Sequence, residues 1–209
     1  MQAIQLTAYG DPTNFLEQVE LPEPKLPGQN EVLIQVEFSP LNPNDLMLAQ
    51  GIYSVHPELP SVIGNEGVGR VLAIGSGVTQ VQVGDRVLVP LHVFAWAERV
   101  LAPAQDLFRL SLETGVEQLS MLRINPPTAA LLLSEYVALR PGEWIVQNAA
   151  NSGVGRAVIG TGFRSAEFPV RAAARRDARA RGNAARSRSF RRPAPSRRAP
   201  ADRTRLPGR

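Results

Sequence analysis

The hydrophobic residues in the first 110 positions fall in short runs, several of which alternate apolar and polar side chains. The runs are rich in Val, Ile and Leu and are bounded by Gly, Pro, Asn or Asp, a pattern typical of β-strands joined by turns. Strands are therefore predicted over residues 4–9, 31–39, 67–74 and 86–89. A short helix is predicted over residues 41–50, behind an Asn-Pro start. Many short strands with little helix favour a compact β-barrel over residues 1–115.

The pattern changes at about residue 116, where apolar residues adopt helical spacing up to residue 124. A second helix, rich in Ala and Leu, is predicted over residues 128–139, with Thr128 as its N-cap. A Pro-Gly turn leads into a buried-type strand over residues 144–148, and a glycine-containing loop then opens another helix. This order of elements begins a doubly wound nucleotide-binding domain. The predicted fold class is mixed β and α/β, a barrel followed by the opening of a Rossmann domain over residues 116–159.

Residues 160–209 have a different composition, dominated by Arg, Ala, Pro, Gly and Ser. They contain fifteen arginines and no lysine, and no apolar run as long as a strand of the preceding domain. Such a segment buries too little apolar surface to offset chain entropy, so it is predicted to be a disordered tail. Out-of-frame translation of GC-rich DNA yields this composition, and a frameshift is the favoured interpretation. A genuine basic arm for nucleic acid or membranes is the alternative.

The net charge of +4 averages two unlike segments. Residues 1–159 carry eight basic and sixteen acidic side chains, a net charge of −8, whereas the tail carries fifteen basic and three acidic ones, a net charge of +12. The chain has no cysteine and two histidines, which excludes disulfides, thiolate metal sites and His-rich clusters. With neither a signal-like N-terminus nor an apolar run near the roughly 20 residues that span a bilayer, a cytoplasmic protein without membrane partners is expected.

Two motifs identify a family for the barrel. They read Gly-Asn-Glu-Gly-Val-Gly-Arg-Val over residues 64–71 and Gly-Asp-Arg-Val over residues 84–87. At this separation they resemble the medium-chain dehydrogenase/reductase superfamily, whose N-terminal domain is a GroES-like barrel. Zinc-dependent members have Cys and His ligands at the positions that match Asn42 and Asn65. Because asparagine amides are poor zinc ligands, the resemblance is to the zinc-free members, and no metal site is predicted.

Within the zinc-free members, three segments are most similar to the mitochondrial-type trans-2-enoyl-thioester reductases. They are residues 39–45 with the following Gln-Gly-Ile-Tyr, residues 59–69, and the loop at residues 146–155. The resemblance implies NADPH as cofactor and a 2-enoyl thioester, linked to coenzyme A or acyl carrier protein, as substrate. It also implies homodimers for full-length members. A zinc-free quinone oxidoreductase stays open as the alternative, and specific nucleic-acid binding is not expected because the tail has few aromatic residues.

Tyr53 is the candidate catalytic residue. In the family that the chain resembles, the matching tyrosine donates a proton to the α-carbon of the substrate as hydride reaches the β-carbon. A phenol, whose ordinary pKa is about 10, is protonated at neutral pH and can donate at modest cost. The alternative is an ordinary loop aromatic after Gly51.

Five residues are candidates for cofactor binding. Gly153 lies in a loop where glycines let the backbone approach a pyrophosphate at a helix N-terminus, and its alternative role is a tight strand–helix turn. The family resemblance adds Asn151, Ser152 and Val154, which would lie against the cofactor. It also assigns Asn125 to the nicotinamide end, with a helix-capping Asn-Pro turn as an equal alternative. Without the later strands of the Rossmann domain, the chain itself is expected to be inactive.

Overall fold

A three-stranded antiparallel sheet opens the chain in the computed structural model, which describes residues 1–136, 139–140, 143–165 and 170–172. Its strands are β1 (Gln2–Leu6), β2 (Leu16–Glu20) and β4 (Ser61–Val62), in the order β2-β1-β4. A short helix, α1 (Pro12–Phe15), joins the first two strands. Asp11 caps this helix by accepting a hydrogen bond from the Thr13 amide at 3.0 Å.

A five-stranded antiparallel sheet forms the larger part of the barrel, in the order β7-β3-β5-β6-β8. The strands are β3 (Glu31–Phe38), β5 (Val68–Ile74), β6 (Arg86–Leu88), β7 (Arg99–Pro103) and β8 (Phe108–Leu110). A 3-10 turn at Ala104–Asp106 separates the last two. An isolated antiparallel bridge between Ala3 and Ala97 connects this sheet region to the first sheet. The two sheets, rather than one continuous closed sheet, together form the barrel.

The inward-facing side chains of the two sheets form the main core. Each Val or Ile buried there contributes about 1.5–3 kcal/mol relative to an exposed side chain. The core includes Val32, Ile34, Val71, Val87, Val89 and Val100. A second cluster lies beside α2 (Pro43–Ala49) and is centred on four buried residues, Leu6, Leu48, Ala49 and Ile63.

The remaining elements belong to the second predicted domain. They are α3 (Val116–Leu119), α4 (Asn125–Ser134), β9 (Ile145–Gln147), α5 (Gly153–Ser165) and β10 (Val170–Ala172). Helix α4 packs against α5, and β9 and β10 pair in parallel with Ile145 opposite Val170. A parallel pair joined by a helix is the basic unit of a doubly wound sheet. None of the helices in the described part of the chain is long and apolar enough to cross a membrane.

Two predictions about this second domain need correction. Helix α4 begins at Asn125 rather than after a cap at Thr128, because the Thr128 hydroxyl donates to the Ile124 carbonyl at 2.7 Å inside the first turn. The segment predicted as a disordered tail also starts too early at residue 160, since α5 continues to Ser165 and β10 follows. The other tail residues, 166–169 and 173–209, lie outside the described residues, and the prediction for them stays a prediction.

An ion-pair cluster fixes the polypeptide where it leaves the barrel. Glu37 accepts from Arg70 Nε at 2.6 Å and from Arg86 Nε at 2.8 Å. Partial burial acts to raise the pKa of Glu37, but the hydrogen bonds from the two arginines outweigh it and lower the pKa below its ordinary value. The Arg86 guanidinium also donates to the carbonyls of Leu112 and Thr114, each at 3.4 Å. The largely buried Arg86 side chain thus holds the connecting segment on the barrel.

Candidate functional site

The glycine-containing loop forms a tight, capped entry into α5. Ala149 has a positive φ of 49°, and its carbonyl accepts from the Ser152 amide at 2.9 Å. The Ser152 hydroxyl then accepts from the Gly155 amide at 3.0 Å, which is the N-cap interaction that serine prefers. A Cβ on Gly155 would lie 2.6 Å from the Ala149 carbonyl oxygen, so Gly155 is required for packing of the helix on its own loop.

The first residue of α5 contacts the first residue of α4. Asn125 is buried, with 8% of its surface exposed, and a Cβ on Gly153 would lie 2.7 Å from Asn125 Oδ1 and 2.8 Å from its Cγ. The Asn125 Nδ2 atom is buried and has no hydrogen-bond partner among the described residues. An unpaired buried amide costs about 1–3 kcal/mol, so this donor is suited to an acceptor on a ligand.

Two cavities of about 320 Å³ each flank the start of α5. Asn125, Asn151 and Gly153 line the first, together with Gln118 and Arg156. Ser152 and Val154 line the second, together with Gln147, Asn148 and the side of α4. The structure therefore brings all five predicted cofactor residues to this end of the helix, distributed over two cavities.

Tyr53 lies elsewhere, on the barrel, beside the second apolar cluster. Its ring is half-buried and packs against the cluster formed by Leu6, Leu48, Ala49 and Ile63. Among the described residues, no protein group forms a hydrogen bond with the Tyr53 hydroxyl, which leaves that hydroxyl free to donate.

The residues around Tyr53 have structural roles. Tyr9 donates to the Pro57 carbonyl at 2.6 Å and makes an edge contact with the ring of His56, a loop residue. Trp96 packs into the same apolar cluster. Gly64 has a positive φ of 102°, and a Cβ there would lie 2.2 Å from Trp96 Cδ1, so glycine is required.

The positions that match zinc ligands in the zinc-dependent proteins that the chain resembles are occupied by residues that hydrogen-bond to one another. Asp45 Oδ1 accepts from both the backbone amide and Nδ2 of Asn65, each at 2.8 Å. Its other oxygen accepts from the Asn42 amide at 2.7 Å, as part of a capping box at the start of α2. All three residues are buried, and Asp45 accepts hydrogen bonds from both asparagines.

Glu66 extends this network to the second domain. Its fully buried carboxylate accepts from Asn42 Nδ2 at 2.8 Å and from the Ile124 amide, immediately before α4, at 3.0 Å. Burial raises the pKa of Glu66 above its ordinary value, the negative charge of Asp45 adds to the rise, and the hydrogen bonds oppose it. Glu66 is therefore a hydrogen-bonded structural carboxylate, with one partner in the barrel and one in the second domain.

Some residues of the site carry little signal in the sequence. Gln118 and Arg156 line the cavity with Asn125, and only Arg156 has a signal in the sequence, its position directly after the glycine loop.

Arg123 lies over the Phe108 ring at 5.5 Å, with its Nε buried and unpaired within the described part of the chain. Burial lowers the pKa of Arg123 below its ordinary value, although nearby Asp106 acts in the opposite direction.

Comparison with known proteins places these features in a family context. A model of the alcohol dehydrogenase GroES-like domain matches residues 28–112. A mitochondrial enoyl-[acyl-carrier-protein] reductase of Caenorhabditis elegans is 40% identical over 159 residues, which are 76% of this chain and 46% of the relative. The chain thus spans about half the length of the curated relatives that it matches.

Two solved structures show the same architecture. The mitochondrial 2-enoyl thioester reductase Etr1p of Candida tropicalis, solved with NADP and crotonyl-CoA, superposes with a TM-score of 0.71 and 29% identity. The match covers 82% of this chain and 53% of that one. A quinone oxidoreductase of Pseudomonas syringae superposes with a TM-score of 0.70 and 33% identity, over 82% of this chain and 52% of its own.

Proposed function

We propose that this chain, which belongs to the zinc-free medium-chain dehydrogenase/reductases, supplies the catalytic barrel and the start of the cofactor domain of an NADPH-dependent 2-enoyl-thioester reductase. One observation carries the proposal: a buried, unpaired amide of Asn125 meets the first glycine of α5 beside an open cavity. A buried donor without a partner, in contact with the first residue of the helix that follows a glycine loop, fits a dinucleotide. Similarity to enoyl reductases of 40% and 29% identity supports the substrate class.

Several residues of this chain fit the bound cofactor. The first-turn amides of α5, at the positive end of the helix dipole, would receive the pyrophosphate. Asn125 Nδ2 would donate to an oxygen of the cofactor, which removes the cost of its unpaired burial. Arg156, exposed in the next turn and lining the same cavity, adds positive charge on that side. When bound, NADPH supplies the hydride for the β-carbon of the substrate.

Tyr53 would supply the proton. Its hydroxyl is free of protein partners, and its ring is held against the apolar cluster of the barrel. As the β-carbon gains a hydride, negative charge develops on the α-carbon and the thioester oxygen. The Tyr53 O–H bond breaks as its proton bonds to the α-carbon, and the phenolate then regains a proton from water. Such general acid catalysis contributes about 10²–10⁴-fold in rate.

A quinone oxidoreductase is the second candidate. It is favoured by the Pseudomonas syringae structure, which is more similar in sequence (33%) than Etr1p (29%) is. The fold and the candidate cofactor site are compatible with either activity, so the substrate distinguishes the two. The two enoyl reductases named above are mitochondrial, and the cytoplasmic location of this chain stays a prediction.

This chain by itself is expected to bind cofactor weakly and to have no measurable turnover. Among its described residues, the cofactor domain consists of helices α3 to α5 and the parallel pair β9–β10. The second strand of such a domain is normally followed by the residues that select NADPH over NADH. Robust NADPH-dependent consumption of a crotonyl thioester by the purified chain would contradict this expectation.

A chimaera tests the proposed activity. Residues 1–159 are joined to the remaining part of the C. elegans relative, and NADPH oxidation is followed with crotonyl-CoA and with 1,4-benzoquinone. Turnover with crotonyl-CoA that is lost in the Tyr53→Phe variant supports the proposal. Turnover with the quinone alone supports the second candidate. A folded chimaera that binds NADPH but reduces neither substrate rejects both.

The frameshift prediction has its own test, in the DNA. Sequencing the coding region across codons 155–165 and translating the other frames beyond residue 159 should reveal a frame that continues α5 into apolar strands. A confirmed sequence with no such frame in either alternative translation would favour a genuine basic arm. Its binding to nucleic acid would then weaken steeply as salt increases.

A further inference from the structure

Glu66 occupies the junction between the barrel and the second domain. It lies in the loop between β4 and β5, and its carboxylate reaches the Ile124 amide, 58 residues further along the chain. Ile124 immediately precedes α4, and the next residue is Asn125, which contacts Gly153. One hydrogen bond from the barrel therefore acts at the point where the helix that carries Asn125 begins.

The same carboxylate also binds the start of α2, the helix whose C-terminal end lies in the cluster beside Tyr53. Its other oxygen accepts from Nδ2 of Asn42, the N-cap of α2. Helix α2 ends in Leu48 and Ala49, two of the four buried residues that form the cluster against which the Tyr53 ring packs. The two oxygens of Glu66 are thus divided between the elements that position the candidate proton donor and the candidate cofactor ligand.

We propose that Glu66 is a positioning residue that clamps the start of α4 to the N-cap of α2. In this way it fixes the position of Asn125 relative to Tyr53. The proposal rests on the proposed function for the purpose of the clamp, whereas the clamp itself is defined by hydrogen bonds alone. It assigns Glu66 no contact with substrate or cofactor.

The environment of Glu66 supports a geometric role over a packing role. The side chain is fully buried, and no basic side chain in the described part of the chain pairs with it. Burying a carboxylate is costly unless hydrogen bonds compensate, and an apolar residue of similar volume is often as stable or more stable at such a site. What a carboxylate adds is two acceptors with defined directions, one toward each domain.

Hydrogen exchange of the full 209-residue chain, without cofactor or substrate, tests the clamp. In the wild type, the Ile124 amide should be protected. In Glu66→Leu, which lacks both acceptors, exchange at residues 120–128 should rise about tenfold, the effect of losing one hydrogen bond. In Glu66→Gln, exchange should stay within about twofold of wild type, since Oε1 can accept from Ile124 while Nε2 donates to a flipped Asn42 amide.

Glu98→Leu is the matched control. Glu98 also accepts from a backbone amide, that of Gln2 at 2.9 Å, but within the barrel. Its loss should leave exchange at residues 120–128 unchanged. The clamp is rejected if Glu66→Leu and Glu66→Gln behave alike, or if Glu66→Leu raises exchange over β3 and β5 as much as over residues 120–128.

A measurement on the wild type keeps the test decisive should Glu66→Leu not fold. The ¹⁵N-labelled chain should show an Ile124 amide resonance that is protected and that shifts as the Glu66 carboxyl titrates. An unprotected Ile124 amide, or one whose shift ignores that titration, overturns the clamp. Since these readouts need no turnover, an inactive chimaera with a protected Ile124 amide rejects the proposed function and leaves the clamp intact.

Discussion

Two sets of buried or half-buried polar groups in the molecule differ in how they are paired. In the network of Asn42, Asp45, Asn65 and Glu66, the hydrogen bonds join residues of the set to one another or to backbone amides. Asn125 Nδ2, in contrast, is buried without a partner among the described residues. The hydroxyl of half-buried Tyr53 likewise forms no hydrogen bond with any of them. Because folded proteins pair most buried polar groups, pairing separates the groups that hold the fold from those available to a ligand.

The largest expected effect is on the paired network. Asp45→Ala leaves three N–H groups without an acceptor, those of Asn42 and Asn65, and should lower the free energy of unfolding by about 3 kcal/mol or more. Urea denaturation of the full chain measures this. Asp11→Ala, which removes the exposed cap of α1, should have a much smaller effect on the free energy of unfolding. Equal losses in the two variants would contradict the stabilising role of the paired network.

The unpaired Tyr53 hydroxyl should show the opposite behaviour. In the chimaera, Tyr53→Phe should lower kcat by about 100-fold, because the proton donor is lost. The free energy of unfolding should change by less than about 1 kcal/mol, since no protein hydrogen bond is removed. A variant that retains most of its kcat, or that loses stability as Asp45→Ala does, would assign Tyr53 to the packed cluster only.

Substitution by leucine should have different effects on stability at Asn125, whose amide is unpaired, and at Asn65, whose amide is paired. Asn125→Leu removes an unsatisfied donor, so the free energy of unfolding should stay constant or rise by about 1 kcal/mol, while the Kd for NADPH in the chimaera rises about tenfold. Asn65→Leu removes the Nδ2 bond to Asp45, leaves the backbone bond in place, and should lower stability by about 2 kcal/mol. Calorimetry and fluorescence titration measure the two quantities, and destabilisation by Asn125→Leu would show that its amide is paired after all.

The smallest expected effect is a pH dependence within the paired network. The folded-state pKa of Glu66 is raised, so the folded chain binds its proton more tightly than the unfolded chain, and stability falls as pH rises from about 4.5 to the raised value. Glu66→Gln does not titrate. The unfolding free energy of this variant minus that of wild type should therefore increase over this window and level off above it. A difference that is flat or decreases with pH in urea titrations would contradict the raised pKa.

The barrel strands could be predicted where their hydrophobic pattern was strong, as for β3 and β5. Strand β2 was missed because it pairs only with β1 and carries exposed Glu17 and Gln18, which leaves little apolar pattern. The start of α4 was placed three residues late. In the sequence, Pro126 and Pro127 suggest a break, although proline is tolerated in a first turn, where its missing N–H would have no intrahelical partner.

The candidate site was predictable only in its local parts. The glycine loop and its helix follow from a contiguous pattern, and the structure bears out their placement. The contact between Asn125 and Gly153, and the bond between Glu66 and Ile124, join residues that are far apart in sequence. Neither hydropathy nor spacing encodes such pairs, so the division into paired and unpaired groups required the fold.

The hydrogen bonds from Arg86 to the connecting segment affect the order in which the two domains fold during synthesis. Every strand of the two barrel sheets lies before or at Leu110, so the barrel can form as soon as that residue has left the ribosome. Arg86 then meets the carbonyls of Leu112 and Thr114, the next residues to emerge. The nascent chain is thereby anchored to a finished surface, and α3 and α4 begin to fold from a fixed starting point.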